Sequence, residues 1–301
     1  MINNKQKIDK NILVNNLYKE NRKAIIRTIN MINTSLENSS QTFFLALYYM
    51  DLTFINPNFE EIFKSYFENN ENDLKIQINK KDLYMICLAC LIIATKYNEN
   101  DPHVPNIISF TNLLSYYTSD MYKYQIDDIR KAEVFVLKII EYKLNYFSIY
   151  HYFSFFFTHG FLFNKIFEKE KIREQRMNKN EILEKIYIKS REIMNIFIQD
   201  DDNINFILGT DNYFTSIQIL IWSTENILNI PFIDLFEEGK NIFELLYKID
   251  YDKNKEIWKN GVRNLPTRVE IIMERKKNED EEEGQEKMYT LVKLAPMFKS
   301  E

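Results

Sequence analysis

Glycine is scarce in this chain: the 301 residues contain 5 glycines, none of them before Gly160, and only 6 prolines. A β-sheet protein of this length needs many tight turns, and tight turns favour glycine, asparagine or proline. Asparagine is abundant, but it is spread through apparent helices as well as through loops. Hydrophobic residues make up 45% of the chain, with 23 Phe and 19 Tyr, which is enough for folded domains with real cores. The composition therefore predicts an all-α fold.

Cysteine and histidine are also scarce, which removes most candidates for a metal centre or a catalytic site. The two cysteines, Cys87 and Cys90, form a C-x-x-C motif, but there is no second cysteine pair and the 3 histidines lie elsewhere. We interpret both cysteines as small core residues at helical spacing. An enzyme needs a convergent set of polar groups, and the sparse His, Cys and Gly leave few candidates. We therefore predict no cofactor, no metal and no catalytic residue.

Two further absences bear on location and partners. No apolar run of 18 residues is free of charged or polar breaks, so the sequence predicts no membrane span. Residues 1–13 carry no continuous apolar stretch after their lysines, which is unlike a secretory signal. The formal net charge of −5 argues against a nucleic-acid-binding protein, which usually has a basic face. We expect a nuclear and/or cytoplasmic protein with no nucleic-acid and no membrane partner.

Apolar residues recur at helical spacing along most of the chain. The Ser/Thr-rich stretch from Ser39 to Thr42 offers N-caps for a helix that ends before Pro57. The pattern predicts about five helices before residue 147 and about five after it, with a buried-looking middle helix in each half (83–96 and 206–228). The predicted helices before residue 147 are 8–33, 43–55, 83–96, 107–118 and 125–143, with a short piece at 59–67.

Two charged residues occupy positions that are costly unless something satisfies them. Lys96 closes the apolar helix 83–96, and Glu133 lies among apolar neighbours in the helix 125–143. Taken singly, Lys96 could complement a helix C-terminus and Glu133 could pair with a nearby cation on a solvated surface. In and just after the predicted helix 125–143, four residues fall at i, i+4, i+7 and i+11, on one predicted face: Glu133, Leu137, Ile140 and Leu144.

Four charged residues, in order along the chain, resemble the markers of the first cyclin box. Arg22 in NRKAIIRTI and Asp51 in LALYYMDLTF resemble the arginine of the family's first helix and the aspartate of its second, and their separation of 29 residues fits the family without a gap. Lys96 in IIATKYNEN resembles the lysine that ends the third helix, and Glu133 in RKAEVFVLKIIEYKL resembles the glutamate of the fifth. The resemblance covers residues 20–147, whereas the second half of the chain is similar only in helix order.

The resemblance to cyclins implies an architecture of two tandem five-helix cyclin-box domains. We expect an N-terminal helical extension at 1–19, a first, kinase-binding box at 20–147, a second, divergent box at 148–262 and an acidic C-terminal tail at 263–301. The aspartate at position 51 is more like cell-cycle cyclins than transcriptional cyclins, which often place a basic residue there.

The same resemblance implies a role for each marker. Arg22 and Asp51 would form an internal ion pair that holds the first helix to the second. Lys96 and Glu133 would hydrogen-bond backbone groups of a cyclin-dependent kinase. The kinase would pack against four further residues: Tyr97, Leu137, Tyr142 and Leu144. The chain would then be the regulatory subunit of a heterodimer, one that favours the active state of the kinase and does no chemistry itself.

Other classes of protein stay open at this point. The main alternative is a cyclin-fold interaction scaffold without kinase activation, similar to transcription factor IIB or to the retinoblastoma pocket. An adjacent and exposed Lys96 and Glu133 would favour the kinase regulator over the scaffold. An unrelated helical-repeat protein should show a fixed period of about 30–45 residues, and the sequence lacks one.

Overall fold

The computed structural model describes residues 15–67, 78–100, 104–119, 121–158, 178–199 and 212–229. These residues form nine α-helices and no strand, which confirms the all-α prediction for this part of the chain. The helices are α1 (Asn16–Ser35), α2 (Ser40–Phe54), α3 (Phe59–Phe67), α4 (Lys80–Asn98), α5 (Ile107–Tyr117), α6 (Ile126–Ile139), α7 (Ile149–Thr158), α8 (Lys179–Gln199) and α9 (Asn212–Leu228). None of these helices is long and apolar enough to cross a membrane.

Helix α4 is the central helix of the group that it forms with α1, α2, α5 and α6. Every residue from Met85 to Thr95 is buried, and α4 packs against α1, α2, α5 and α6. Its small side chains let these neighbours approach closely, so one helix can be surrounded on several sides. Burial raises the pKa of the Cys87 and Cys90 thiols, so both stay protonated and unreactive. The interpretation of these cysteines as core residues is confirmed.

Polar side chains define the starts of four helices. The capping residues are Asn15, Ser39, Asn79 and Asn106. The predicted serine cap of α2 is confirmed, because Ser39 Oγ accepts from the Thr42 N–H at 3.2 Å. At α4 the capping is reciprocal: Asn79 Oδ1 accepts from the Asp82 N–H at 3.2 Å, and Asp82 Oδ2 accepts from the Asn79 N–H at 3.0 Å. Part of the abundant asparagine thus specifies where helices begin.

The first helix ends in a left-handed turn without the glycine that this turn favours. Glu37 has a φ of 55°. Its N–H donates to the Thr34 carbonyl at 3.1 Å, and the Asn38 N–H donates to the Asn33 carbonyl at 3.1 Å. This pair of bonds satisfies carbonyl groups that the end of α1 would otherwise leave without partners. The cost is a Cβ clash of about 1–2 kcal/mol for a non-glycine residue.

The end of α6 differs from the prediction. The helix ends at Ile139, not at residue 143, because Glu141 and Tyr142 adopt left-handed φ values of 55° and 56°. The Tyr142 N–H donates to the Leu137 carbonyl at 2.7 Å, and this hydrogen bond closes the end of the helix. Leu144 therefore lies beyond α6, and the prediction that it shares one face of this helix with Glu133 is wrong.

The described residues before 147 form six helices, where the sequence predicted about five and a short piece at 59–67. That short piece is the helix α3, which lies between α2 and α4. Phe59 and Phe63 are buried, and their ring centroids lie 5.6 and 5.7 Å from that of Phe135 in α6, edge to face. Helix α3 therefore extends the core along α6.

The chain divides into two compact units, one of residues 1–160 with 198–217 and the other of residues 161–197 with 218–301. The predicted boundary after residue 19 falls inside α1. The residues outside the described ranges include 1–14 of the predicted extension, 159–177, 200–211 and 230–262 of the predicted second box, and the whole predicted tail at 263–301. The predicted domain boundaries and the tandem arrangement of two boxes stay predictions.

Glu37→Gly should stabilise the protein by about 1 kcal/mol, because glycine takes the left-handed conformation without the Cβ clash. The entropy of glycine in the unfolded chain offsets part of this gain. Urea unfolding followed by circular dichroism measures the difference. Lys131→Gly, in the exposed interior of α6, is the matched control and should cost about 1 kcal/mol. Equal destabilisation by both substitutions would contradict the assignment of strain to Glu37.

Candidate functional site

A buried ion pair joins α1 to α2. Arg22 Nε donates to Asp51 Oδ1 at 2.9 Å, and Arg22 Nη2 donates to Asp51 Oδ2 at 2.8 Å. Both side chains are 0% exposed. This two-point geometry suits the planar guanidinium, and it fixes the orientation of the two helices as well as their distance.

Two further groups also form hydrogen bonds with this pair. The Tyr18 hydroxyl donates to Asp51 Oδ1 at 2.7 Å, and burial raises the pKa of Tyr18, so the hydroxyl keeps its proton. Arg22 Nη1 donates to the main-chain carbonyl of Ile198 at 2.8 Å, and Ile198 belongs to the same compact unit. A buried charge without partners is very costly, so these contacts make the buried pair tolerable.

Sequence reasoning missed both of these partners. Tyr18 lies one helical turn before Arg22, a spacing that places the two side chains on one face of α1, and its ring stacks on Phe54 with centroids 4.0 Å apart. That spacing was a usable signal. The carbonyl of Ile198 gives no signal in the sequence, because every residue has one.

Lys96 and Glu133 meet where α4 ends beside α6. Lys96 Nζ lies 2.5 Å from Glu133 Oε1, and the Lys96 and Glu133 side chains are 55% and 12% exposed. The lysine is in the last turn of α4, where a cation complements the helix dipole. The long side chain of Lys96 keeps its ammonium in water, whereas the Glu133 side chain is mostly buried.

The other residues predicted for this site have different settings. Tyr97 is 48% exposed next to Lys96, and Leu137 is half-buried one turn after Glu133. Tyr142 is 65% exposed on the segment that follows α6.

Leu144 lies on that same segment and is half-buried. Its carbonyl accepts from the Tyr49 hydroxyl of α2 at 2.8 Å. In the described part of the chain, no hydrogen bond or ion pair joins Tyr142 or Leu144 to Lys96 or Glu133.

A second polar cluster, missed by sequence reasoning, lies at the residues that follow Tyr97. Glu99 Oε1 accepts from the Ser39 N–H at 2.8 Å, from Ser39 Oγ at 2.7 Å and from Thr42 Oγ1. Partial burial would raise the pKa of Glu99, but the hydrogen bonds from Thr42 and Ser39 outweigh it and hold the pKa below its usual range. The sequence signal was present only in part, as the capping motif at Ser39.

Among the described residues, no three His, Cys, Asp or Glu side chains group closely enough to hold a metal ion.

Two family models match this chain, in different parts of it. The model for the cyclin N-terminal domain matches residues 2–145, which include both charged pairs described above. The model for ribosomal protein L31e matches residues 242–285. The second match lies outside the described residues and crosses the predicted division after residue 262.

Curated relatives of the second segment are large ribosomal subunit proteins eL31. The protein from Chlamydomonas reinhardtii is 40% identical over 48 residues, which are 16% of this chain and 40% of that protein. The protein from Cyanophora paradoxa is 42% identical over 50 residues, which are 17% of this chain and 41% of that protein. The chain thus spans about two fifths of the length of these relatives.

Asp51→Ala should destabilise the protein by about 3–5 kcal/mol, because it leaves the buried Arg22 without its counter-charge. An Arg22→Met/Asp51→Leu double variant should recover much of this loss, since neither charge then remains buried. Urea unfolding measures both free energies.

The control for this prediction is an exposed carboxylate. Asp127 pairs with Arg130 on the surface of α6, where both side chains are more than half exposed. Asp127→Ala should cost less than about 1 kcal/mol. A similar cost for Asp51→Ala and Asp127→Ala would mean that the buried pair does not hold α1 to α2.

Proposed function

From the match of residues 2–145 to the cyclin N-terminal domain, we propose that the chain is a cyclin, the regulatory subunit of a cyclin-dependent protein kinase. Members of this family are generally regulatory rather than catalytic. The observation that carries the proposal is the contact between Lys96 and Glu133 at the exposed end of α4.

The pair can bind a second backbone at two points. An ammonium has three N–H donors, and Glu133 takes one of those of Lys96. The remaining donors suit carbonyl groups of a partner, and the remaining lone pairs of the carboxylate suit its N–H groups. Water is excluded when a partner covers the site, and charge-assisted bonds of this kind then fix the register of the two proteins.

Exposed aromatic side chains provide the apolar part of the proposed interface. Tyr97 and Tyr142 are 48% and 65% exposed, and tyrosine is enriched among the residues that contribute most to interface affinity. Leu137 lies between them in sequence and keeps part of its surface accessible. Persistent signalling complexes bury more than about 2,000 Å² in total, so the proposed interface extends beyond these residues.

The proposed mechanism is a shift of population in the kinase. A regulatory subunit that binds the active conformation more tightly than the inactive one multiplies the ratio of active to inactive kinase by the ratio of the two affinities. The active conformation is the one in which the Lys–Glu pair and the activation loop are set for phosphoryl transfer. We place this activity in the nucleus or the cytoplasm.

The experiment is affinity purification of the tagged chain from its own cells beside a Lys96→Ala/Glu133→Ala variant, with mass spectrometry of the retained proteins. A cyclin-dependent kinase should be retained by the wild-type chain and lost from the variant. With the recombinant kinase, Glu133→Ala alone should cost about 2–5 kcal/mol of binding, because it leaves Lys96 and the partner's donors unpaired.

The matched control is a Glu181→Ala/Lys185→Ala variant, which removes an exposed ion pair of α8. It should bind and activate the kinase as the wild type does. Normal activation by a folded Lys96→Ala/Glu133→Ala variant would disprove the proposed site. Retention of other proteins and no kinase would favour a cyclin-fold scaffold.

A second candidate function concerns residues 242–285. On their similarity to large ribosomal subunit proteins eL31, we propose that this segment lets the chain associate with the large ribosomal subunit. Although the whole chain is acidic, residues 253–277 carry eight Lys or Arg against three Glu. A local excess of positive charge suits a polyanionic surface such as that of a ribosome.

Sedimentation with purified large ribosomal subunits tests this second candidate. The full chain should sediment with the subunit, and a variant with Arg263, Arg268 and Arg275 replaced by glutamine should not. Replacement of Lys179, Lys185 and Lys189 in α8 removes the same charge elsewhere and should leave sedimentation unchanged. Equal sedimentation of all three proteins, or of none, would reject ribosome association through this segment.

A further inference from the structure

The last turn of α4 is held by hydrogen bonds as well as by its charged pair. Lys96 and Tyr97 are exposed, whereas the residues before and after them bond to the connection between α1 and α2 and to the first turn of α2. Before the pair, Thr95 Oγ1 accepts from Asn38 Nδ2 at 3.1 Å and donates to the Leu91 carbonyl at 2.8 Å. The exposed residues therefore lie between two anchored positions.

The anchor after the pair consists of Asn98 and Glu99. Asn98 Nδ2 donates to Ser39 Oγ at 3.1 Å and to Thr42 Oγ1 at 2.8 Å. The Glu99 carboxylate accepts from the Ser39 N–H and from both hydroxyl groups. Bonds to a charged acceptor are stronger than bonds between neutral groups, and a carboxylate at the start of α2 also meets the positive end of that helix dipole.

The contact between Lys96 and Glu133 is too weak to hold this turn alone. The lysine side chain is 55% exposed, and exposed ion pairs contribute little because water and salt screen them. Helix ends fray unless their terminal groups have partners. The Glu99 N–H closes α4 on the Thr95 carbonyl at 2.9 Å, so a fixed Glu99 also fixes the backbone of Lys96 and Tyr97.

We infer that Glu99 is a positioning residue for the kinase-binding surface: its carboxylate, held by Ser39 and Thr42, sets where Lys96 and Tyr97 stand. The inference rests on the proposed function and names a determinant of it that bonds to the start of α2. Glu99 acts through α4 and α2 and does not itself touch the partner.

Thr42 gives the sharpest test, because its side chain is 0% exposed and cannot reach a partner. Thr42→Val removes the hydroxyl and keeps the shape of the side chain, and Thr42→Ser keeps the hydroxyl. Glu99→Gln removes the charge. Ile25→Val, a core substitution in α1, controls for a general loss of stability.

Two measurements are made on the full chain. Amide hydrogen exchange of residues 95–99 is followed in the free protein, and affinity is measured for the cyclin-dependent kinase that the wild-type chain retains. Glu99→Gln and Thr42→Val should each exchange faster at these residues and bind the kinase about tenfold more weakly, a size typical of residues that act through a packed network. Thr42→Ser and Ile25→Val should match the wild type in both measurements.

Unchanged exchange in Glu99→Gln and Thr42→Val would overturn the inference, whatever the kinase does. Weaker binding by Glu99→Gln but not by Thr42→Val would also overturn it, since Glu99 would then act by touching the partner. Failure of the proposed function is distinguishable, because it appears as normal kinase binding by the Lys96→Ala/Glu133→Ala variant. Faster exchange together with weaker binding in both variants would support the positioning role.

Discussion

The buried ion pair between Arg22 and Asp51 is the constraint on which the packing of α1, α2 and α4 depends. Two opposite charges taken fully out of water are stable only if their hydrogen-bonding capacity is filled, and here Tyr18 and the carbonyl of Ile198 contribute to filling it. The geometry tolerates little movement of α1 against α2, because the guanidinium bonds the carboxylate at two points. Both helices pack against α4, so the pair indirectly sets the position of the central helix.

The candidate surface lies at the C-terminal end of this central helix, where the helix leaves the core. Residues 85–95 of α4 are buried, and Lys96 and Tyr97 follow them directly into solvent. A binding group at the end of a packed helix has little freedom, which reduces the entropy lost on association. Contacts from α6 through Glu133 and from the start of α2 to Glu99 hold the same turn from two sides. The exposed residues Lys96 and Tyr97 are thus directly followed or preceded in the chain by residues that are held in place.

The shortage of glycine has a visible consequence in how the helices end. Glu37, Ser119, Glu141 and Tyr142 take left-handed conformations that glycine adopts without strain. Two of them are consecutive and lie beside the proposed interface. Strain of this kind persists only where surrounding contacts determine the backbone, and the turn after α6 is held by the hydrogen bond from the Tyr142 N–H to Leu137. At the N-terminal ends of helices, asparagine provides capping residues.

The sequence by itself determined the helical class, the central helix, the buried cysteines and the charged residues that mark the first cyclin box, because helix periodicity and charge placement are local properties. Only the tertiary structure decided that α6 ends at Ile139, that α3 packs on Phe135 and that Glu99 bonds the start of α2. The contacts of α3 and Glu99 join groups far apart in the chain, whereas the end of α6 depends on a local bond between main-chain groups that all residues share. A periodic pattern can state which face of a helix is buried, but the contact on that face exists only once the chain has folded.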